Sequence, residues 1–269
     1  MSASPPTTID MDAHPTVKGV TGDWLETDFA AWFRYHDPAA GHRQITLEEL
    51  VDGELAAIHE QLVDGGSPEK AATKYLAGWF GGLTARSLGF AVLAADAWFE
   101  LEPDELRWHL HPGGWADRLE LGTTRALVAP GHAWEDAEVV PSERERNERL
   151  VAALATALEP LIDALQPLGS LGRPGLWAEV GDGLAGPLAF QSELPVTPEA
   201  IALLERLVAA DAAPWKALPR LWTVDGVCVI RKGGCCRAYT AENVYCTNCP
   251  LQDDATCEAA QLDWARSQQ

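Results

Sequence analysis

Apolar residues recur at helical spacing in four stretches of the chain, and each stretch opens on a helix-start signal. Thr46 and Glu49 have the spacing of a capping box ahead of a run that stops at Gly65-Gly66. Ser67-Pro68-Glu69 opens a second helix, with Ala72, Tyr75, Leu76, Trp79, Phe80 and Leu83 on one face. It is expected to continue, bent at Gly81-Gly82, towards Asp96. Ser142 and Glu145 repeat the capping spacing before a long helix through Leu150, Leu154, Leu158 and Leu165, with a kink expected at Pro160. Thr197-Pro198-Glu199 begins the fourth, which runs to about Ala210. Between the second and third the period drops to two. Leu106, Trp108 and Leu110 alternate with Arg107, His109 and His111, Gly113-Gly114 follows, and Leu119, Leu121 and Ala126–Ala129 read as further short strands. The pattern predicts an α+β protein: a mainly helical body with a small antiparallel sheet.

Three segments follow from this pattern. Residues 1–20, rich in Pro, Thr and Ser, read as a disordered lead. Residues 21–213 form the helical body, the part expected to bind substrate. Residues 214–269 form a C-terminal module that starts on a strand-like piece, Leu221 to Ile230, and closes on a short helix around Cys257–Arg266. The N-terminal stretch has no basic start and no apolar run, so no secretory signal is read there. No uninterrupted apolar run approaches the roughly 18 residues of a membrane span. A cytoplasmic setting, where thiols stay free to bind metal, is the expectation.

Charge sharpens the division. The net charge of −20 argues against a nucleic-acid partner, because phosphate binding needs a basic face. From Arg220 onward five basic residues face six acidic ones, so nearly all the acidity belongs to the body. Between Cys228 and Thr240 the only charges are the cations Arg231, Lys232 and Arg237.

All six cysteines lie in this tail: Cys228, Cys235, Cys236, Cys246, Cys249 and Cys257. Four of them make the pattern C-C-x9-C-x2-C. A C-x2-C pair chelates, because the short loop lets both thiolates reach one metal while intervening amides hydrogen-bond to sulfur. Pro250 after Cys249 matches the ending of ferredoxin-type cluster loops. Gly233-Gly234 supplies backbone latitude for a turn into the adjacent Cys235-Cys236 pair. A disulfide framework is disfavoured by the chain length and the absent leader. Structural zinc also takes four cysteines and stays open, although it usually sits between two C-x2–4-C knuckles.

The run Arg231-Lys232-Gly233-Gly234-Cys235-Cys236-Arg237-Ala238-Tyr239, then Cys246-Thr247-Asn248-Cys249-Pro250-Leu251, resembles the C-terminal signature of the FhuF-like ferric-siderophore reductases. The length of the chain and the place of the motif at its C-terminal end also match. The loop is one residue shorter than that family's C-C-x10-C-x2-C, Arg237 stands where an apolar residue is common, and Thr247 replaces glycine. The resemblance implies a [2Fe–2S] cluster held by Cys235, Cys236, Cys246 and Cys249. It also implies one-electron reduction of a ferric siderophore, with release of ferrous iron. A hydroxamate chelate fits an acidic body better than a strongly anionic catecholate. Arg231, Lys232 and Arg237 would favour the more negative reduced cluster, or else belong to a solvated loop.

Other signals carry less. Gly181-Asp182-Gly183-Leu184-Ala185-Gly186 has the letters of a dinucleotide fingerprint, but Pro187 follows at once and no parallel strand accompanies it. Electrons are therefore expected from outside: a ferredoxin, a flavin-dependent reductase or a reduced nicotinamide system. His109 and His111 read mainly as the polar face of a hairpin. Trp98, Trp108, Trp115 and Trp134 could line a siderophore pocket or pack in the core. Cys228 and Cys257 read as buried thiols rather than spare ligands. Two other functions stay open, a siderophore- or partner-binding protein with structural zinc and an iron–sulfur redox sensor or carrier.

Overall fold

The structure, a computed structural model, describes residues 43–110, 114–121, 125–132, 134, 137–189, 194–242 and 244–267. The lead at 1–20 and the residues His111 and Gly113 of the hairpin lie outside the described residues. The expected α+β class is observed.

Strand β1 (Arg43–Thr46) runs into a short helix α1 (Leu47–Glu49), and the capping box is present: Thr46 Oγ1 accepts from Glu49 N at 3.2 Å while Glu49 accepts from Thr46 N at 2.9 Å. The single helix expected to Gly65 is broken. A π turn at Leu50–Glu54 contains Asp52 and Gly53 in non-helical conformations, and α2 (Leu55–Asp64) follows. Gly53 has φ of +132°, a region closed to side chains with a Cβ, and this breaks the helix despite its continuous apolar face.

The second helix is one rod in three parts: α3 (Glu69–Leu76), a π segment (Ala77–Gly82) and α4 (Leu83–Ala95), ending on a left-handed Asp96. The expected distortion at Gly81-Gly82 takes the form of this widened turn. Helix α5 (Glu143–Gly169), opened by Ser142 accepting from Glu145 N, continues through Pro160 and Pro167. Next come α6 (Arg173–Ala185) and α7 (Pro198–Val208). By length and composition alone Glu69–Ala95 and Glu143–Gly169 could each cross a bilayer; here both put their apolar faces into the core.

The expected sheet is two sheets. One has the order β1, β3 (Leu106–Leu110), β4 (Ala116–Leu121), all antiparallel, with Trp108 opposite Ile45 on one side and Leu119 on the other. The other pairs β2 (Ala97–Glu100) antiparallel with β5 (Arg125–Val128), and β5 parallel with β6 (Glu138–Val139). Trp98 and Trp108 are fully buried, so they belong to the core and not to a pocket. Their indole N–H groups are satisfied inside it, Trp98 by Asn147 Oδ1 at 2.7 Å and Trp108 by Thr84 Oγ1 at 3.1 Å. Trp134 packs edge-on to Phe99, while Trp115 is exposed.

The G-x-G-x-x-G run lies inside and at the end of α6, where its glycines serve helix packing. A Cβ on Gly183 would fall inside the contact radius of the Gly82 carbonyl and 2.7 Å from Gly82 Cα, and Gly181 lies against the Trp215 indole. The absence of side chains lets α6 cross the π segment almost backbone to backbone. Gly183→Ala should therefore cost about 1–3 kcal/mol through forced separation of the helices. Gly175→Ala, at an open position of the same helix, should be neutral or stabilising by about 0.5–1 kcal/mol. Urea unfolding midpoints compare the two, and equal effects would mean the crossing tolerates a side chain.

Candidate metal centre

The strand-like piece expected in the tail is a hairpin, β7 (Arg220–Val224) and β8 (Val227–Arg231), turning on Asp225 and Gly226. Both turn residues have positive φ, as a two-residue hairpin turn of the favoured twist requires. The chain leaves β8 at Lys232, passes the two glycines and delivers Cys235 and Cys236. A one-turn helix α8 (Tyr239–Glu242) precedes Cys246 and Cys249, and α9 (Asp254–Ser267) closes the module.

Two clamps place this loop. The first comes from the body. Asp182 on α6 accepts from Gly233 N at 2.6 Å and from Gly234 N at 3.0 Å, one bond to each carboxylate oxygen. One turn earlier, Glu179 takes Lys232 Nζ at 2.5 Å and Lys74 Nζ at 2.7 Å; Lys74 also donates to the Gly175 carbonyl. All four charged groups are buried or nearly so. Burial alone would raise the Glu179 pKa, but the Lys232 and Lys74 ammoniums overcome it and hold the carboxylate below its ordinary value. Burial pushes Asp182 up to about 7, against the pull of Lys232. The two glycines are pressed into place: a Cβ on Gly234 would come 2.6 Å from Ala178 Cβ, and one on Gly233 would strike the Ala217 carbonyl.

The second clamp is Gln261 of α9. Its side chain accepts from Ile230 N at 3.0 Å and donates to Ile230 O at 2.8 Å and Thr247 O at 3.2 Å. Beside it, Lys232 N donates to Asn248 O at 3.0 Å, so the segment before Cys235-Cys236 is tied to the Cys-x2-Cys turn. Arg231 reaches Pro250 O and Asp254 Oδ1, both at 2.9 Å. Cys257 is fully buried and its thiol donates to Cys249 O at 3.4 Å; Cys228 is also buried, and burial raises its pKa to about 12. Both are placed as packing thiols.

Two of the four motif cysteines are in thiol contact. Cys236 Sγ and Cys246 Sγ lie 3.6 Å apart. That is far from the roughly 2.05 Å of a disulfide. It is near the ~3.8 Å edge that thiolates make around a tetrahedral metal at ~2.3 Å. Arg237, itself at φ of +63°, turns its amide to Cys235 Sγ at 3.4 Å, and the Ala238 amide donates to Cys236. Amide-to-sulfur bonds of this kind stabilise thiolate and tune cluster potential. Four cysteines, two of them with backbone amides turned to their sulfurs, have the donor chemistry that an iron–sulfur group takes. Among the described residues no group of three or more His, Cys, Asp and Glu closes on one metal-ion position.

Of the three cations singled out in the sequence, Lys232 is neutralised by Glu179 and Arg231 by Asp254. Arg237 is half-buried after the cysteine pair. Only its backbone role towards Cys235 is direct. His109 lies in β3 opposite Gln44 and Arg118. The sequence reading missed Asp182, Glu179, Lys74 and Gln261. Their one visible trace was that Glu179 and Asp182 sit three apart, on one helix face. No protein-family model matches this chain, and no curated protein matches its sequence.

Two measurements test the geometry. The Cys246 thiol and the Ala238 amide hold the Cys236 pKa down to about 6, while burial raises that of Cys235. In metal-free protein iodoacetamide should alkylate Cys236 before Cys235 at pH 7, with the rate falling only below about pH 6. Peptide mass spectrometry reads the order, and equal rates would contradict the Cys236–Cys246 contact. Glu179→Gln leaves two buried ammoniums without their carboxylate and should cost about 3–5 kcal/mol in urea unfolding. A loss under 1 kcal/mol would show that water reaches the joint.

Proposed function

We propose that Cys235, Cys236, Cys246 and Cys249 hold a [2Fe–2S] cluster and that the protein is a cytoplasmic ferric-siderophore reductase. The observation that supports this reading is the contact of two of the four motif thiols, Cys236 and Cys246, 3.6 Å apart, with backbone amides turned to the sulfurs of Cys235 and Cys236. The FhuF-like spacing adds the substrate class, a ferric siderophore of hydroxamate type.

When bound, the cluster supplies one electron at a time. The chain's own residues do the rest. Asp182 and Lys232 fix the entry to the cysteine pair, and Gln261 fixes the Cys-x2-Cys turn. The amides of Arg237 and Ala238 offset negative charge on Cys235 and Cys236. Ferric iron is a hard cation held tightly by oxygen chelates; once ferrous it is held more weakly and released. The acidic body favours a neutral or cationic hydroxamate complex over an anionic catecholate. The electron donor is a separate ferredoxin, flavin-dependent reductase or reduced nicotinamide system.

Anaerobically purified protein should be red-brown, contain iron and sulfide in equal amounts, and give a rhombic EPR signal on reduction. Serine at any of the four motif positions should abolish the colour, whereas Cys228→Ser and Cys257→Ser should keep it. Ferrioxamine should reoxidise the reduced protein as ferrous iron appears, and faster than a ferric catecholate does. A colourless protein with stoichiometric zinc would refute the cluster. A coloured protein that ferrioxamine leaves reduced would be a sensor or carrier instead.

A further inference from the structure

An open-mouthed cavity of about 230 Å³ lies where the helical body meets the cysteine module. Gly78 and Trp79 of the π segment, Arg86 of α4 and Asp182 of α6 line its body side; Lys232 and Asn248 line the module side. Asn248 sits between Cys246 and Cys249, so the cavity reaches the cysteine loop directly.

The room exists because glycines form the walls. A Cβ on Gly78 would meet nothing nearer than Glu179 Oε2 at 3.7 Å, and one on Gly186 nothing nearer than the Arg86 stem at 3.7 Å. The fixed charges in the wall are largely balanced. Lys232 is held by Glu179, and Asp182 is occupied by the Gly233 and Gly234 amides. Arg86 is a donor-only group; burial lowers its pKa to about 10, which leaves it charged at neutral pH. The Asn248 amide adds a second donor, and the Trp79 indole, Leu83 and Ala116 add apolar wall.

We infer that this cleft is the docking site of the ferric chelate, taking one bidentate hydroxamate arm at a time. The inference rests on the reductase reading above. Hydroxamate oxygens are acceptors that match Arg86 and Asn248, and the methylene linkers between hydroxamates match the apolar wall. A ferric trihydroxamate core has no net charge, which suits a balanced cavity in an acidic chain. The volume is below the several hundred Å³ of pockets that engulf a drug-sized ligand, so the rest of the chelate stays at the mouth.

Gallium(III) desferrioxamine B tests this without any redox step, since it copies the charge and shape of ferrioxamine and accepts no electron. Titration calorimetry on the full-length, cluster-loaded protein should give saturable binding. Gly78→Leu, which plugs the cavity from the π segment, should weaken it at least tenfold, and Arg86→Gln at least threefold. Visible and EPR spectra of both variants should match those of the parent, which a general loss of structure would not allow. Unchanged affinity in Gly78→Leu and Arg86→Gln would overturn the site, as would absence of binding to the parent. Iron and sulfide content and reoxidation by ferrioxamine, measured on the same preparations, judge the reductase reading separately. A protein that reduces ferrioxamine but binds the gallium chelate equally well in all three forms keeps that function and loses this site.

Discussion

The arrangement depends on a buried electrostatic joint between α6 and the loop that leaves β8. Glu179 gathers Lys232 and Lys74, and Asp182 gathers the Gly233 and Gly234 amides, so one helical turn of carboxylates fixes the backbone just ahead of the cysteine pair. Bringing these charges out of water is costly, and a buried pair is weak evidence for net stability. Its effect is on specificity. A misplaced loop would leave two carboxylates or two ammoniums uncompensated in the interior, and that penalty singles out one register for residues 232–236.

That joint is possible because α6 approaches the π segment so closely. Gly183 against Gly82 removes the side-chain layer that normally separates two helices. The closeness brings Glu179 within reach of Lys74 on α3 and of Lys232 at once. Beside this crossing Gly78 and Gly186 leave a void at Trp79 and Arg86 that continues to Asn248. Joint and cavity are thus two consequences of one helix crossing: the charges fill part of the gap, and the remainder is open to a ligand.

The cysteine module has little core of its own and is held by polar clips. Gln261 bonds both groups of Ile230 and the Thr247 carbonyl, Cys257 caps the Cys249 carbonyl, and Arg231 bridges to Pro250 and Asp254. These clips fix the backbone that carries the sulfurs while leaving Cys235, Cys236 and Cys246 partly accessible. Under the proposed function, this partial exposure would let a cluster exchange an electron with a partner outside the chain; Tyr245 and Leu251, close by in sequence, are also exposed.

Local signals were legible in the sequence wherever a short segment decides its own shape. The capping residues Thr46, Ser142 and Thr197, the alternation through Leu106, Trp108 and Leu110, and the spacing of the four cysteines needed no partner to be read. The break at Gly53 and the hairpin turn at Asp225-Gly226 were overlooked, because the apolar pattern continued across both. What only the tertiary structure decided is what comes from far along the chain. Trp98 and Trp108 became core because opposing elements supply acceptors for their indoles. The G-x-G-x-x-G letters became a helix crossing, and Asp182 among them became the anchor of a loop some fifty residues away. Spacing records which atoms can reach one another within a few residues; which helix stands beside the cysteine pair is set by packing of the whole chain.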